Sequence, residues 1–168
     1  WTGNSNNVWS NVGNWSCGVI PTATSDVLIP TGTPSIGNTP VAVVRNLEIQ
    51  GAATLDISNT GTLQVYGNWT NGGTFSPNTG TVEFLGTSAQ SITNAGTENF
   101  YNLTVNKASG TLTVNANTNI QAANSGTLSV LSGTLDVAAG KKVTFKSSAP
   151  IGQVDQTARL GRVGGAIT

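Results

Sequence analysis

Gly110-Thr-Leu-Thr-Val114 and Gly133-Thr-Leu-Asp-Val137 have the same pattern: a turn residue, then two apolar side chains separated by one polar one. Gly61-Thr-Leu-Gln-Val65, Gly80-Thr-Val-Glu-Phe84 and Gly126-Thr-Leu-Ser-Val130 repeat it. Looser forms fill the intervals, among them Asn46-Leu-Glu-Ile49, Ala53-Thr-Leu-Asp-Ile57, Asn102-Leu-Thr-Val105 and Lys142-Val-Thr-Phe145. Each phrase has the period-2 signature of a short half-buried strand. From Leu47 to Val143 the leading apolar positions recur at a mean step of about 9 residues, too close for crossover helices. Two architectures remain: antiparallel hairpins in a β-sandwich, or successive faces of a solenoid. The solenoid is favoured because the phrase keeps one polarity and one turn residue, and because the hairpin pair Asn-Gly occurs only at Asn71-Gly72. Grouping three strands per coil gives repeats of roughly 25 residues, within the range of solenoid units. The shift from Leu112 to Leu135 is one such repeat, and it also superposes Val114 on Val137. The expectation is a right-handed, three-faced parallel β-helix with roughly four coils between Leu47 and Phe145, each about 4.8 Å from the next. The antiparallel β-sandwich is the alternative.

Composition agrees with an all-β chain. The 168 residues include 21 Gly and are rich in Thr, Asn and Ser, with 37% hydrophobic content. These polar residues and Gly are poor helix formers, while Thr and Val suit strands. Seven cationic and seven anionic residues balance, which argues against a nucleic-acid partner. No apolar run approaches the roughly 20 residues of a membrane span, so no membrane insertion is expected. A chain that begins at Trp1 without Met implies that processing or cloning removed what preceded it. The single Cys17 excludes an internal disulfide.

The two ends depart from the repeat. Residues 1–40 lack the Gly-Thr phrase and hold Trp1, Trp9 and Trp15. A solenoid must cover its terminal cross-section and strand edges, so this segment is read as an aromatic N-terminal cap, with a sugar-stacking Trp platform as the functional alternative. Residues 41–146 are the coils. Residues 147–168 read as an irregular basic C-terminal segment. Within 141–162, Lys141, Lys142, Lys146, Arg159 and Arg162 face only Asp155, a local charge of +4 that leaves −4 on residues 1–140. A solvated tail is the plain reading. Docking of this end onto a neighbouring module or another copy is the sharper one, and head-to-tail contact of that kind builds filaments.

Residue chemistry narrows function mainly by exclusion. Without His there is no imidazole-based triad, metal site or proton shuttle. One Cys cannot make a thiolate zinc site. Glycosidase chemistry needs two carboxylates about 5–9 Å apart; Glu83 and Glu98, two strands apart, come nearest, with no distinctive partner beside them. Asp56 and Asp136 fall on different faces of a regular coil. No calcium-loop repeat is present, and Gly161-Arg-Val-Gly164-Gly165 lacks the ending of a phosphate loop. Outward Thr62, Thr111, Thr113, Thr127 and Thr134 do not make the regular array an ice-binding face requires, because Gln64, Ser129 and Asp136 interrupt the rows. Tyr66, Trp69 and Tyr101 are candidate carbohydrate contacts, the alternative being packing in turns or under the coil edge.

The set Trp1-Thr-Gly3, Trp9, Asn14-Trp15, Gly18-Val-Ile-Pro21 and Asp26-Val-Leu-Ile29, followed by Gly61-Thr-Leu-Gln-Val65-Tyr-Gly-Asn-Trp69 and the later phrases, resembles the β-helical modules of large secreted and cell-surface proteins of the Bacteroidetes. The resemblance runs over essentially the whole chain, to Lys142-Val-Thr-Phe-Lys146. It implies cargo of the type IX secretion system, of adhesin or gliding-associated type, and a module that lacks the C-terminal sorting domain of such cargo. The expected function is a structural or adhesive module, a stalk or filament segment of an extracellular protein. It is not expected to be an enzyme and needs no cofactor; its partners would be adjacent modules, copies of itself or surface glycans. The alternative is a carbohydrate-binding module.

Overall fold

A computed structural model describes residues 1–38, 40–121 and 126–146, together with three short strands beyond them. In chain order the first strands are β1 (Val27–Gly32), β2 (Ser35–Ile36), β3 (Ala42–Val44), β4 (Leu47–Ile57) and β5 (Thr62–Val65). Next come β6 (Trp69–Asn71), β7 (Thr74–Ser76), β8 (Thr81–Phe84), β9 (Gln90–Asn94), β10 (Thr97–Phe100) and β11 (Asn102–Val114). The last are β12 (Asn117–Gln121), β13 (Leu128–Val137), β14 (Lys142–Lys146), β15 (Ile151–Val154), β16 (Ala158–Leu160) and β17 (Ala166–Ile167).

Each pairing between these strands is parallel, and together they form a β-solenoid of about five turns. Five steps of one ladder carry the chain from Val27 through Leu47, Trp69, Ile92 and Val114 to Val137. A second face stacks Ala42, Leu63, Val82, Leu103 and Leu128. The third holds β2, the end of β4, β7, β10, β12, β14 and β17. The antiparallel sandwich is thereby excluded. Leu112 pairs with Leu135 and Val114 with Val137, in the register expected from the sequence.

Alternation explains the core. Along β5 and β8 the apolar residues of the Gly-Thr phrase are buried and those between them are only partly covered, so inward side chains from three faces fill one axis. The leading Gly of the phrase has a steric cause. A Cβ at Gly61 would lie 2.6 Å from the carbonyl oxygen of Ile36, and one at Gly80 would lie 2.2 Å from Cγ2 of Ile57. In the turns before these glycines Asn59 and Asn78 adopt φ of 52° and 42°, the left-handed region that Asn tolerates.

The N-terminal aromatic residues pack together at the start of the core. Trp9 and Trp15 join the core with ring centroids 4.7 Å apart, and Trp1 packs on Trp15. Fully buried Asn14 fixes the loop: its Oδ1 accepts from the N–H of Ser5 and Asn6, and its Nδ2 donates to Asn6 Oδ1 and the Val8 carbonyl. Val8 bridges Ser35 in parallel, so the plug adds a partial rung above β2. Both expected boundaries shift. Regular pairing starts at Val27, inside the segment 1–40 read as cap, because Asp26-Val-Leu-Ile29 alternates without the Gly-Thr phrase. Past residue 146 the chain is not wholly irregular, since β15, β16 and β17 continue the stack on β13 and β14.

Candidate functional site

Of the three aromatic residues read as sugar contacts, Trp69 is removed by its register. It pairs with Leu47 and Ile92, which point inward, and is 0% exposed. Its ring lies 4.8 Å from that of Phe75 and 5.5 Å from that of Phe100, so it is a core residue that a sugar cannot reach. Tyr66 and Tyr101 are partly buried and lie at different corners, after β5 and between β10 and β11. The structure does not bring the three together.

Glu83 and Glu98 face opposite ways across the sheet wall. Glu83 lies on the outer side of β8, where its carboxylate accepts from Gln64 and Asn106. Glu98 points to the axis and is buried. Trp69 Nε1 donates to it at 2.7 Å and Asn71 Nδ2 at 3.0 Å, with Asn94 Nδ2 and the Asn99 N–H completing the set. Loss of solvent pushes its carboxyl pKa up, against the four donors, which favour the ionised form. A second inward polar group is Lys107, whose Nζ donates to the Ser88 carbonyl at 2.8 Å and to Gln90 Oε1. Gln90 in turn donates to the carbonyls of Val65 and Gly67. Burial pulls the Lys107 pKa down. Strand parity carries a signal for all three buried groups: Glu98 is two positions from Phe100, Lys107 two from Val105, and Gln90 two from Ile92, each an inward apolar residue.

Of the basic residues at the C-terminal end, Lys141 sits in the turn before β14, its N–H bonded to the Ala138 carbonyl, and Lys142 is exposed at the start of β14. Arg162 and the side chains of Lys146 and Arg159 lie outside the described residues. Among the described residues no group of three or more His, Cys, Asp or Glu side chains converges to hold a metal ion.

Two surface depressions lie where cap meets first coil. A cavity of about 300 Å³ is walled by Trp1, Trp15, Pro21 and Leu28 and rimmed by Ser25 and Asp26. A second depression shares Asp26, Val27 and Leu28 and continues over Asn46, Glu48, Asn68 and Thr70. The corner residues are tied into a ladder: Asn46 donates to Asp26, the Asn68 N–H to Asn46 Oδ1, and the Ser91 N–H to Asn68 Oδ1. Arg45 pairs with Asp26 through two nitrogens and holds its carboxyl at a pKa of about 2.

The fold and these features define a capped parallel β-solenoid with a groove at its capped end. A family model described as a domain of unknown function (DUF8693) matches residues 1–82, the cap and the coils through Val82. No curated protein and no solved structure matches the chain.

Proposed function

We propose that the chain is a structural module, a stalk or filament segment, of an extracellular surface protein. The observation that carries this reading is the parallel pairing that runs without a gap from β1 through β4, β6, β9 and β11 to β13, with an apolar axis along its described length. Stacked coils couple each strand to the next by backbone hydrogen bonds and side-chain burial, which makes a stiff spacer and asks no chemical step of the chain. An extracellular setting, and export by the type IX route, rest on the likeness of the Trp-rich segment and Gly-Thr coils to Bacteroidetes surface modules. Assembly through the basic C-terminal end would extend the rod.

Negative-stain electron microscopy and sedimentation across protein concentrations test the reading. Uniform rods that lengthen as concentration rises support an assembling segment; rods of constant short length support a passive spacer. A globular particle without an axial shape overturns both. Labelling of intact source cells with an antibody to the module tests the location, and an exclusively internal signal rejects it.

A further inference from the structure

The groove at the capped end plays no part in the spacer reading, and its chemistry is of two kinds. Trp1, partly exposed, sets its ring at 78° to that of buried Trp15 with centroids 5.1 Å apart, and both line the cavity. Beyond Asp26 the surface becomes polar, with Glu48, Asn68 and Thr70 over the next two coils. At about 4.8 Å per rung the polar row from Asp26 to Asn68 spans roughly 10 Å.

We propose that this groove binds a neutral carbohydrate chain, one pyranose ring seated on the partly exposed Trp1 and the hydroxyls of the following units on the row from Asp26 to Thr70. A sugar ring is apolar on its C–H faces and hydroxylated at its edge. Indole faces suit the first, and carboxylate, amide and hydroxyl groups suit the second. Charge selects against an acidic chain: Asp26 is neutralised by Arg45, which leaves Glu48 as net negative charge along the groove. A peptide strand fits less well, because the backbone nitrogen of Trp1 already donates to the Leu28 carbonyl at 2.9 Å and occupies part of the β1 edge. The Asp26–Asn46–Asn68 ladder holds these side chains in place before a ligand arrives, which lowers the ordering cost of binding.

The test is a titration of ¹⁵N-labelled protein with neutral hexasaccharides of glucose, xylose, mannose and galactose, followed by NMR. The four Trp residues give four indole N–H signals. The expected result is a saturable shift of the Trp1 and Trp15 indole signals by at least one sugar while that of Trp69 stays in place. Trp1→Ala should weaken binding at least about tenfold and Trp1→Phe much less; an unchanged Trp69 signal certifies that the coils remain folded. Asp26→Asn is the second variant, which leaves the aromatic corner intact and is expected to weaken binding about threefold or more. The proposal is overturned if none of the four sugars gives a saturable shift by about 5 mM. It also fails if shifts centre on Tyr66 or Tyr101, or if Trp1→Ala binds as the native chain does.

Discussion

The coils and the cap solve the same problem, burial of apolar surface at a cross-section, in opposite ways. In the coils the solution repeats: Leu63 lies on Val82, Val82 on Leu103, and each layer resembles its neighbours. In the cap nothing repeats. Three indoles meet edge to face, and one buried amide, Asn14, bonds to Ser5, Asn6 and Val8. Repetition spreads stability over many similar contacts, whereas the plug concentrates it in a few dissimilar ones. The exception within the coils is the layer around Trp69, where aromatic packing and the Glu98 network concentrate energy as the cap does.

That exception gives the largest expected effect. Trp69→Ala removes a fully buried indole and the closest donor to Glu98, and should cost roughly 3–5 kcal/mol in equilibrium urea unfolding. A loss under about 1 kcal/mol would show that the layer is no more demanding than its neighbours. Asn14→Ala should cost roughly 1–3 kcal/mol, because it leaves part-buried backbone groups of the loop without their partner. Hydrogen exchange locates that loss: residues 1–26 should lose protection while Leu63 to Val114 keep theirs, and uniform loss would mean that cap and coils unfold as one unit. Gly133→Ala should cost about 1–3 kcal/mol, since φ is +84° and the new Cβ would lie 2.7 Å from the Lys107 Cβ. Gly140→Ala, with φ +75° and open space around it, should cost only about 1 kcal/mol. Equal losses would assign the effect to backbone conformation alone.

Glu98 tests the same contrast through pH. Its folded pKa is raised, so the folded chain holds the proton more firmly than the unfolded one. The stabilisation this gives is full below the unfolded pKa and fades as pH rises through the folded one. The urea midpoint of the native protein should therefore decline from about pH 4 toward neutrality more steeply than that of Glu98→Gln; parallel curves would show that Glu98 does not govern the slope. Asp26 has the opposite sign, with its contribution present above the unfolded value and lost as pH falls toward about 2. The smallest effect belongs to its partner. Arg45→Ala breaks an ion pair whose side chains are about half exposed, so the urea midpoint should move least of all, and less again in high salt.

The solenoid and its register are legible in the sequence because the Gly-Thr phrase recurs at several corners and parity marks the inward residues. The plug is legible in outline from Trp1, Trp9 and Trp15. What misleads is residue type read apart from parity. Trp69 reads as a surface aromatic by type, yet it sits two positions before Asn71, which is itself buried. Glu98 reads as a surface acid by type, although Phe100 fixes its direction. The start of pairing at Val27 and the strands past residue 146 escape the pattern because neither segment carries the phrase. The groove lies beyond sequence reasoning altogether, since it forms only when Asp26, Asn46 and Asn68, each on a different coil, are stacked.

The spacing of the ladders sets how the molecule bears load. Partners on adjacent rungs lie one coil apart along the chain, as Leu63 with Val82 and Leu103 with Leu128. No described strand pairing reaches past the neighbouring coil, so tension applied at the two ends meets the rungs in series. Extension then comes in steps: peeling one coil frees about 60–90 Å of extended chain. Pulled from its ends, such a stack should therefore lengthen coil by coil rather than in one cooperative break.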